Sequence, residues 1–339
     1  DVYTRQVLHL LKHIAQTRSV EVKDNFIHSH RLASFVNINV ALAERALCFA
    51  DVGEELRIAL NSEAAEAFLA VQSNVSWKEW KKEVVVPPSA RRTLFKASPY
   101  IAAIFAGTAI LFLPAPYGCL LSSFTYSLIV ASYLLVGAML FIVLGAASSS
   151  SPWGVIGARR EAELFLAYEM AFVASIFTAA YMYRSLSIWE ISINQLKSLP
   201  GFLANPFAAI LLFLAALGKL HLKPFDIPEA EQEITAGPYT EYSGKLLALL
   251  YITKLLILYS LATLIIYLFT PLALYCSTPL GAALHIILSL VVIALLSLLH
   301  AANPRYRIDQ ALSWYAKTAA AFGLAAVLMA ASLKLMGVL

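Results

Sequence analysis

Seven long apolar runs constrain this chain more than any other feature. They cover roughly 99–117, 121–147, 161–183, 201–220, 246–270, 279–300 and 312–337. A helix needs about 20 apolar residues to cross the hydrocarbon core of a bilayer, and the runs are of that order. They predict an all-α integral membrane protein with about seven transmembrane helices. Composition agrees: 60% of the 339 residues are hydrophobic, only 14% are charged, and the mean hydropathy is +0.72. A soluble domain carries about 25% charged residues. The net charge of +4 is modest. Basic residues next to the spans account for it better than a nucleic-acid partner does.

Residues 1–97 form a different region, peripheral and amphipathic, ahead of a helical membrane domain over 98–339. No apolar run of spanning length occurs in the first region. Two amphipathic pieces stand out, Val2–Ile14 and Ala64–Glu83, the second leading into "WKEWKKEVVVPP" with Trp77 and Trp80. Two readings stand for it, a helix lying on the membrane surface and an ordinary soluble helix. The chain starts at Asp1, which leaves room for an upstream span. Its three cysteines, Cys48, Cys119 and Cys276, form no C-x-x-C pair. An iron–sulfur cluster generally takes four thiolates, so none is expected in this chain. His28 and His30 lack further spaced ligands, so no metal site is expected either.

Lysine and arginine near the span ends set the predicted orientation. Lys81, Lys82, Arg91, Arg92 and Lys96 precede the first run. Arg159 and Arg160, then Lys219, Lys223 and Lys245, then Arg305 and Arg307 fall in alternate loops. The intervening loops "PAPYG" and "TPLALYCSTPLG" carry no charge, and Arg184 with Lys197 is the mild exception. The expectation is a multi-pass cell-membrane protein with the loop over 219–245 cytoplasmic and the C-terminus outside.

Charges inside spans cost several kcal/mol unless they face protein or water. The third run opens with Glu161, Glu163 and Glu169. Arg159 lies one turn from Glu163, which predicts a structural ion pair at the helix end. Glu161 and Tyr168 share a face. Glu169 lies about 12 Å further along the helix and has no cation in its own span. Lys254 sits about eight residues into the fifth run, too deep to snorkel easily. It needs a carboxylate partner, a lowered pKa or a water-filled cavity, and Glu169 is a candidate partner by depth. His285 and His300, near opposite ends of the sixth run, read as interfacial or structural.

The loop "KPFDIPEAEQEITAGPYTEYSGK" holds five acids, Asp226, Glu229, Glu231, Glu233 and Glu241. If 226–233 is helical, Asp226, Glu229 and Glu233 share one face and repel, and at least some of their pKa values rise. Pro224 and Pro228 suit the start of such a helix and Gly237-Pro238 its end. A charge cluster is ordinarily a solvated loop. Phe225, Ile227 and Ile234 are too apolar for that, so the loop is expected to fold into a cavity or against a partner.

This loop resembles the cytoplasmic loop of the H subunit of respiratory complex I. It is more similar still to the membrane anchor of archaeal energy-converting [NiFe] hydrogenases and the related sulfane reductases. "SPWGVIGARREAELFLAYE", "NPRYRIDQALSWYAK" and "KKEVVVPPSARRTLFKASPY" agree with the same family, and the resemblance covers roughly 76–339. Two features depart from it. Complex I versions usually carry Glu-x-Asn-Arg where this chain has Lys219, His221 and Leu222, and a Glu where it has Lys254. These replacements argue against quinone reduction. The family norm is eight spans, one more than the seven read here.

The resemblance implies an oxidoreductase-complex subunit with no catalytic residue or cofactor of its own. Hydrogenase-like large and small subunits, carrying a [NiFe] centre and [4Fe-4S] clusters, would dock on its cytoplasmic face. Antiporter-like membrane subunits and lipid would flank it, and H⁺ or Na⁺ would be moved. Glu161, Glu163, Glu169, Asp226, Glu229, Glu231, Glu233, Glu241 and Lys254 would form the coupling route, with Arg159, Arg160, Arg307 and Asp309 as ion-pairing residues. Two other roles stand beside this one, a quinone-site subunit and a purely structural anchor.

Overall fold

The computed structural model describes residues 82–114, 121, 123–271 and 279–335, the side chains of 231, 232 and 279 excepted. These residues all belong to one compact unit, Ala59–Leu339. The amphipathic pieces expected over 2–14 and most of 64–83, the three cysteines, and His28 and His30 lie outside them.

Among the described residues there are ten α-helices and no strand. They are α1 (Arg92–Leu111), α2 (Ser127–Ser148), α3 (Pro152–Tyr183), α4 (Ile188–Lys197), α5 (Gly201–Ala204), α6 (Pro206–Lys219), α7 (Glu231–Ile234), α8 (Gly244–Phe269), α9 (Pro279–Ala302) and α10 (Ile308–Leu335). Six of them, α1, α2, α3, α8, α9 and α10, are long and apolar enough to cross a membrane. This is a multi-pass membrane protein.

The fourth predicted run, 201–220, does not form one long helix. It breaks at Asn205 into α5 and α6. Asn205 has non-helical backbone angles, its side-chain oxygen accepts from the N–H of Ala208 (3.2 Å), and Pro206 follows at the first helical position. Its amide nitrogen donates to the Ala326 carbonyl of α10 (2.8 Å). A capping side chain with proline behind it starts a helix cleanly. The 14 residues of α6 span about 21 Å, less than the roughly 30 Å hydrocarbon core. The third run begins earlier than hydropathy predicts, because extended Ser151 followed by Pro152 starts α3 there. That extra length carries Arg159 and Arg160 beyond the apolar stretch.

Helix α3 is the central member, packing on α2, α6 and α10. Successive spans reverse direction. The starts of α1, α3, α8 and α10 therefore gather on one face with the ends of α2, α6 and α9 and the loop over 220–243.

The condition of a helix over 226–233 is not met in that loop. Its helical pieces are the single turn α7 and a 3-10 turn over Gly237–Tyr239. Thr235, Ala236 and Gly237 then take left-handed backbone angles (φ 51°, 75° and 47°). Gly237 is required, since a Cβ there would lie 2.0 Å from the Pro228 carbonyl oxygen. On α3, Gly157 lets the loop backbone approach, for a Cβ would come within 2.8 Å of Gly237. The apolar residues do insert as expected: Phe225, Ile227 and Ile234 are all buried. The Phe225 ring packs among Tyr306, Trp314 and Tyr315 at centroid distances of 5.9, 5.2 and 4.4 Å.

Candidate functional site

Where the loop meets α3, α6 and α8, charged side chains come together below the protein surface. Glu161 (1% exposed) and Glu169 (8%) project from α3, and Lys219 (1%) ends α6. His221 (4%) follows at a left-handed turn, φ 52°. Glu229 comes from the loop and Lys254 from α8.

Their contacts form a line. The two Glu229 oxygens accept from Lys254 Nζ at 2.9 and 2.6 Å. Glu229 Oε1 lies 2.6 Å from His221 Nδ1, and His221 Nε2 lies 2.6 Å from Glu161 Oε2. Tyr168 donates to the other Glu161 oxygen at 2.8 Å. Beside this line Lys219 Nζ pairs with Glu169 Oε1 at 2.5 Å and sits 3.8 Å from the centre of the Phe172 ring. The His221–Glu161 and Lys219–Glu169 contacts are at ion-pair distance but not aligned as hydrogen bonds. Those atoms have no other hydrogen-bond partner among the described residues. Three carboxylates thus face Lys219, His221 and Lys254, and the cluster is neutral when the imidazole is protonated.

Burial disfavours charge on His221, but the carboxylates of Glu161 and Glu229 outweigh it and hold its pKa up to about 10. Burial likewise opposes the Glu229 carboxylate, and Lys254 and His221 overcome that to pull it down to about 2. The hydrogen bond from Arg160 holds Glu233 below its ordinary range. At Glu229 and Glu233 the expected rise from mutual repulsion is therefore reversed. The stretch 226–233 is not one helix, so Asp226, Glu229 and Glu233 do not stack, and each of the three finds a cation: Asp226 with Arg305 (2.8 Å), Glu229 with His221 and Lys254, Glu233 with Arg160 (2.7 Å).

Other expected residues lie elsewhere. Glu163 pairs with Arg159 at 3.1 Å on the exposed side of α3, away from the buried line. The candidate Glu169–Lys254 pair is absent, because Lys219 reaches Glu169 from α6 and the loop brings Glu229 to Lys254. Glu241 is half-buried without an ion pair among the described residues, and the Glu231 side chain lies outside them. Arg307 and Asp309, expected to ion-pair, make no such contact among the described residues. Both are exposed at the start of α10, where the Arg307 N–H donates to Gln310 Oε1 (3.2 Å). Lys219 and His221 were legible only as departures from a family pattern. An ionisable residue ending an apolar run, with another two positions on, was the available signal.

A cavity of about 820 Å³ opens at this face. His221, Glu229 and Lys254 line it together with Lys223, Arg305 and Arg307. His300, predicted to be interfacial or structural, also lines it and accepts from the Lys223 N–H at 2.9 Å. Groups this close titrate together, so a charge change at one alters the proton affinity of the others.

The profile of the NADH dehydrogenase family matches residues 74–331. Over 184 residues the chain is 33% identical to the second H subunit of the NADH-quinone oxidoreductase of Syntrophobacter fumaroxidans, covering 50% of this chain and 54% of the relative. It is 32% identical over 186 residues to the H subunit of the same oxidoreductase in Syntrophotalea carbinolica, covering 52% and 56%. The alignments thus span about half the length of these curated relatives. Among solved structures, the chain is similar to one in the membrane-bound sulfane sulfur reductase, an archaeal respiratory membrane complex. The TM-score is 0.68 at 26% identity, over 77% of this chain and 85% of that one.

Proposed function

Because the chain belongs to the NADH dehydrogenase family, that of the H subunit of complex I, we propose that it anchors and couples a multisubunit energy-converting complex. In this reading a soluble electron-transfer module docks on the face that carries the cavity. Its [NiFe] centre and iron–sulfur clusters belong to hydrogenase-like subunits. Electron transfer there shifts the acidic loop or its charge. The buried carboxylates respond, and antiporter-like neighbours move H⁺ or Na⁺.

The observation that carries this reading is the continuous line of ionisable groups from Glu229 in the loop to Glu161 within a spanning helix. A structural anchor has no need of such a line, since buried ion pairs give little net stability over apolar packing. The likeness to the sulfane reductase chain over most of its length, and the cations at Lys219, His221 and Lys254, favour a hydrogenase- or sulfane-reductase-type complex.

Glu169→Gln in the reconstituted complex tests it. Ion uptake into vesicles is measured beside electron turnover with an artificial dye. The expected outcome is fewer ions moved per electron. An unchanged ratio supports the structural-anchor role instead.

A second reading has specific support in the names of the curated relatives and in the cavity, which has room for a quinone headgroup. Saturable binding of a quinone analogue, abolished by substitution of the cavity residue Lys254, would favour it.

A further inference from the structure

The coupling role leaves one link unassigned: which group passes the state of the loop to the carboxylates within the membrane. We propose that His221 is the positioning residue that converts the seating of the loop into a proton shift at Glu161. The proposal rests on the coupling function above.

The geometry singles out His221. Its ring touches one carboxylate from the loop and one from a spanning helix, each at 2.6 Å. No other described side chain in the cluster bridges the two. Its backbone is fixed, with the His221 N–H on the Gly218 carbonyl and the Leu222 N–H on that of Leu217, both 3.0 Å. Glu161 is fixed in α3. Glu229 lies in the non-helical stretch before α7, so of the three groups it has the least regular support. The ring is in hydrogen-bond contact with Glu229 and off-axis from Glu161. The loop carboxylate therefore sets its orientation.

Histidine is also the cation whose ordinary proton affinity lies closest to that of a carboxylate. With Glu229 seated, two carboxylates flank the imidazolium and both ring protons stay. With Glu229 drawn away from the ring, still held through both oxygens by the Lys254 ammonium, half of that counter-charge is lost in a buried position. The Nε2–H bond then breaks and an O–H bond forms on Glu161 Oε2. A neutral imidazole and a neutral carboxylic acid remain, and no charge is created or lost. Return of Glu229 reverses the step.

The surrounding groups fit this exchange. From α3, Tyr168 donates to Glu161 and keeps its other oxygen occupied. From α6, Lys219 is held by Glu169 and leaves Glu161 to the imidazole. Tyr239 lies beside Glu229, and His300 on α9 lines the cavity with Lys223, with the Asp226–Arg305 and Glu233–Arg160 pairs and with Arg307 and Asp309. Protonating Glu161 removes a negative charge near the Lys219–Glu169 pair, which carries the signal deeper.

The test is infrared difference spectroscopy of the whole complex between its oxidised and reduced states, with isotope-labelled histidine. Wild type should show a protonated-carboxyl C=O band appearing as an imidazolium band is lost. Absence of that paired change in wild type overturns the proposal. Glu161→Gln should abolish the carboxyl band. His221→Gln and the charge-keeping His221→Lys should abolish it too and lower the ions moved per electron. If either His221 variant keeps the band, the proton comes from elsewhere and the proposal fails. The coupling reading survives that result if Glu169→Gln still lowers the ion ratio. If Glu169→Gln pumps at the wild-type ratio, the coupling reading itself fails.

Discussion

Glu161 and Glu169 stand eight residues apart on one helix, yet each meets a different cation. The face shared by Glu161 and Tyr168 was legible from helical spacing, as was the Arg159–Glu163 spacing. The partner of Lys254 was not, because depth along a helix says nothing about which neighbour faces it. That depends on loop Glu229, brought in by a fold that no local pattern encodes. The pairing has a pH signature with a defined sign. His221 rises from 6.5 to about 10, so its contribution is complete below 6.5 and lost as pH rises through about 10. Glu229 falls from 4.5 to about 2, so its contribution is present above 4.5 and lost as pH falls through about 2. Hydrogen exchange over residues 223–243 should therefore show full protection between 4.5 and 6.5 and loss toward either extreme. His221→Gln should remove the alkaline dependence. An alkaline limb unchanged in that variant would assign it to another group.

Among elements, hydropathy found the long helices because lipid leaves a spanning backbone no partner but itself. It missed the break before α6, where one capping asparagine and one proline outweigh an unbroken apolar composition. The helix that acid spacing and proline positions allowed over 226–233 does not form, since the buried anchors Phe225, Ile227 and Ile234 follow tertiary contacts rather than a helical period. Two glycines in helices separate close approach from mere presence. At Gly157 a Cβ would lie 2.8 Å from the loop backbone, whereas at Gly107 nothing lies within 4 Å. Gly157→Ala should destabilise by about 1–3 kcal/mol through overpacking and expose the loop to protease. Gly107→Ala should be neutral or stabilise by up to about 1 kcal/mol through helix propensity. Thermal unfolding with limited proteolysis distinguishes them, and equal effects would refute the close-contact account.

Across the whole molecule, the basic residues at the span ends share the face that holds the loop and cavity, while Arg184, Lys197 and Lys334 lie at the other. The positive-inside rule then predicts that a cysteine engineered beside Lys245 is labelled by an impermeant reagent only from the cytoplasmic side. Labelling from outside alone would invert the orientation. Helices α9 and α10 are only 28% and 22% buried over their apolar windows, against 56% for α3. Their outer faces are therefore left for lipid or a neighbouring subunit, and α3 is the internal mast.

The short α6 has an electrical consequence. Its span of about 21 Å leaves roughly a third of the hydrocarbon thickness to be made up by the loop and the cavity. Where water indents a membrane, the transmembrane voltage falls across the thickness that remains. The field is then concentrated between the cavity and the opposite face, with the Lys219–Glu169 pair near its upper edge. A unit charge crossing that remaining distance does nearly the full electrical work, about 2.3 kcal/mol per 100 mV, over a path shorter than the bilayer is thick.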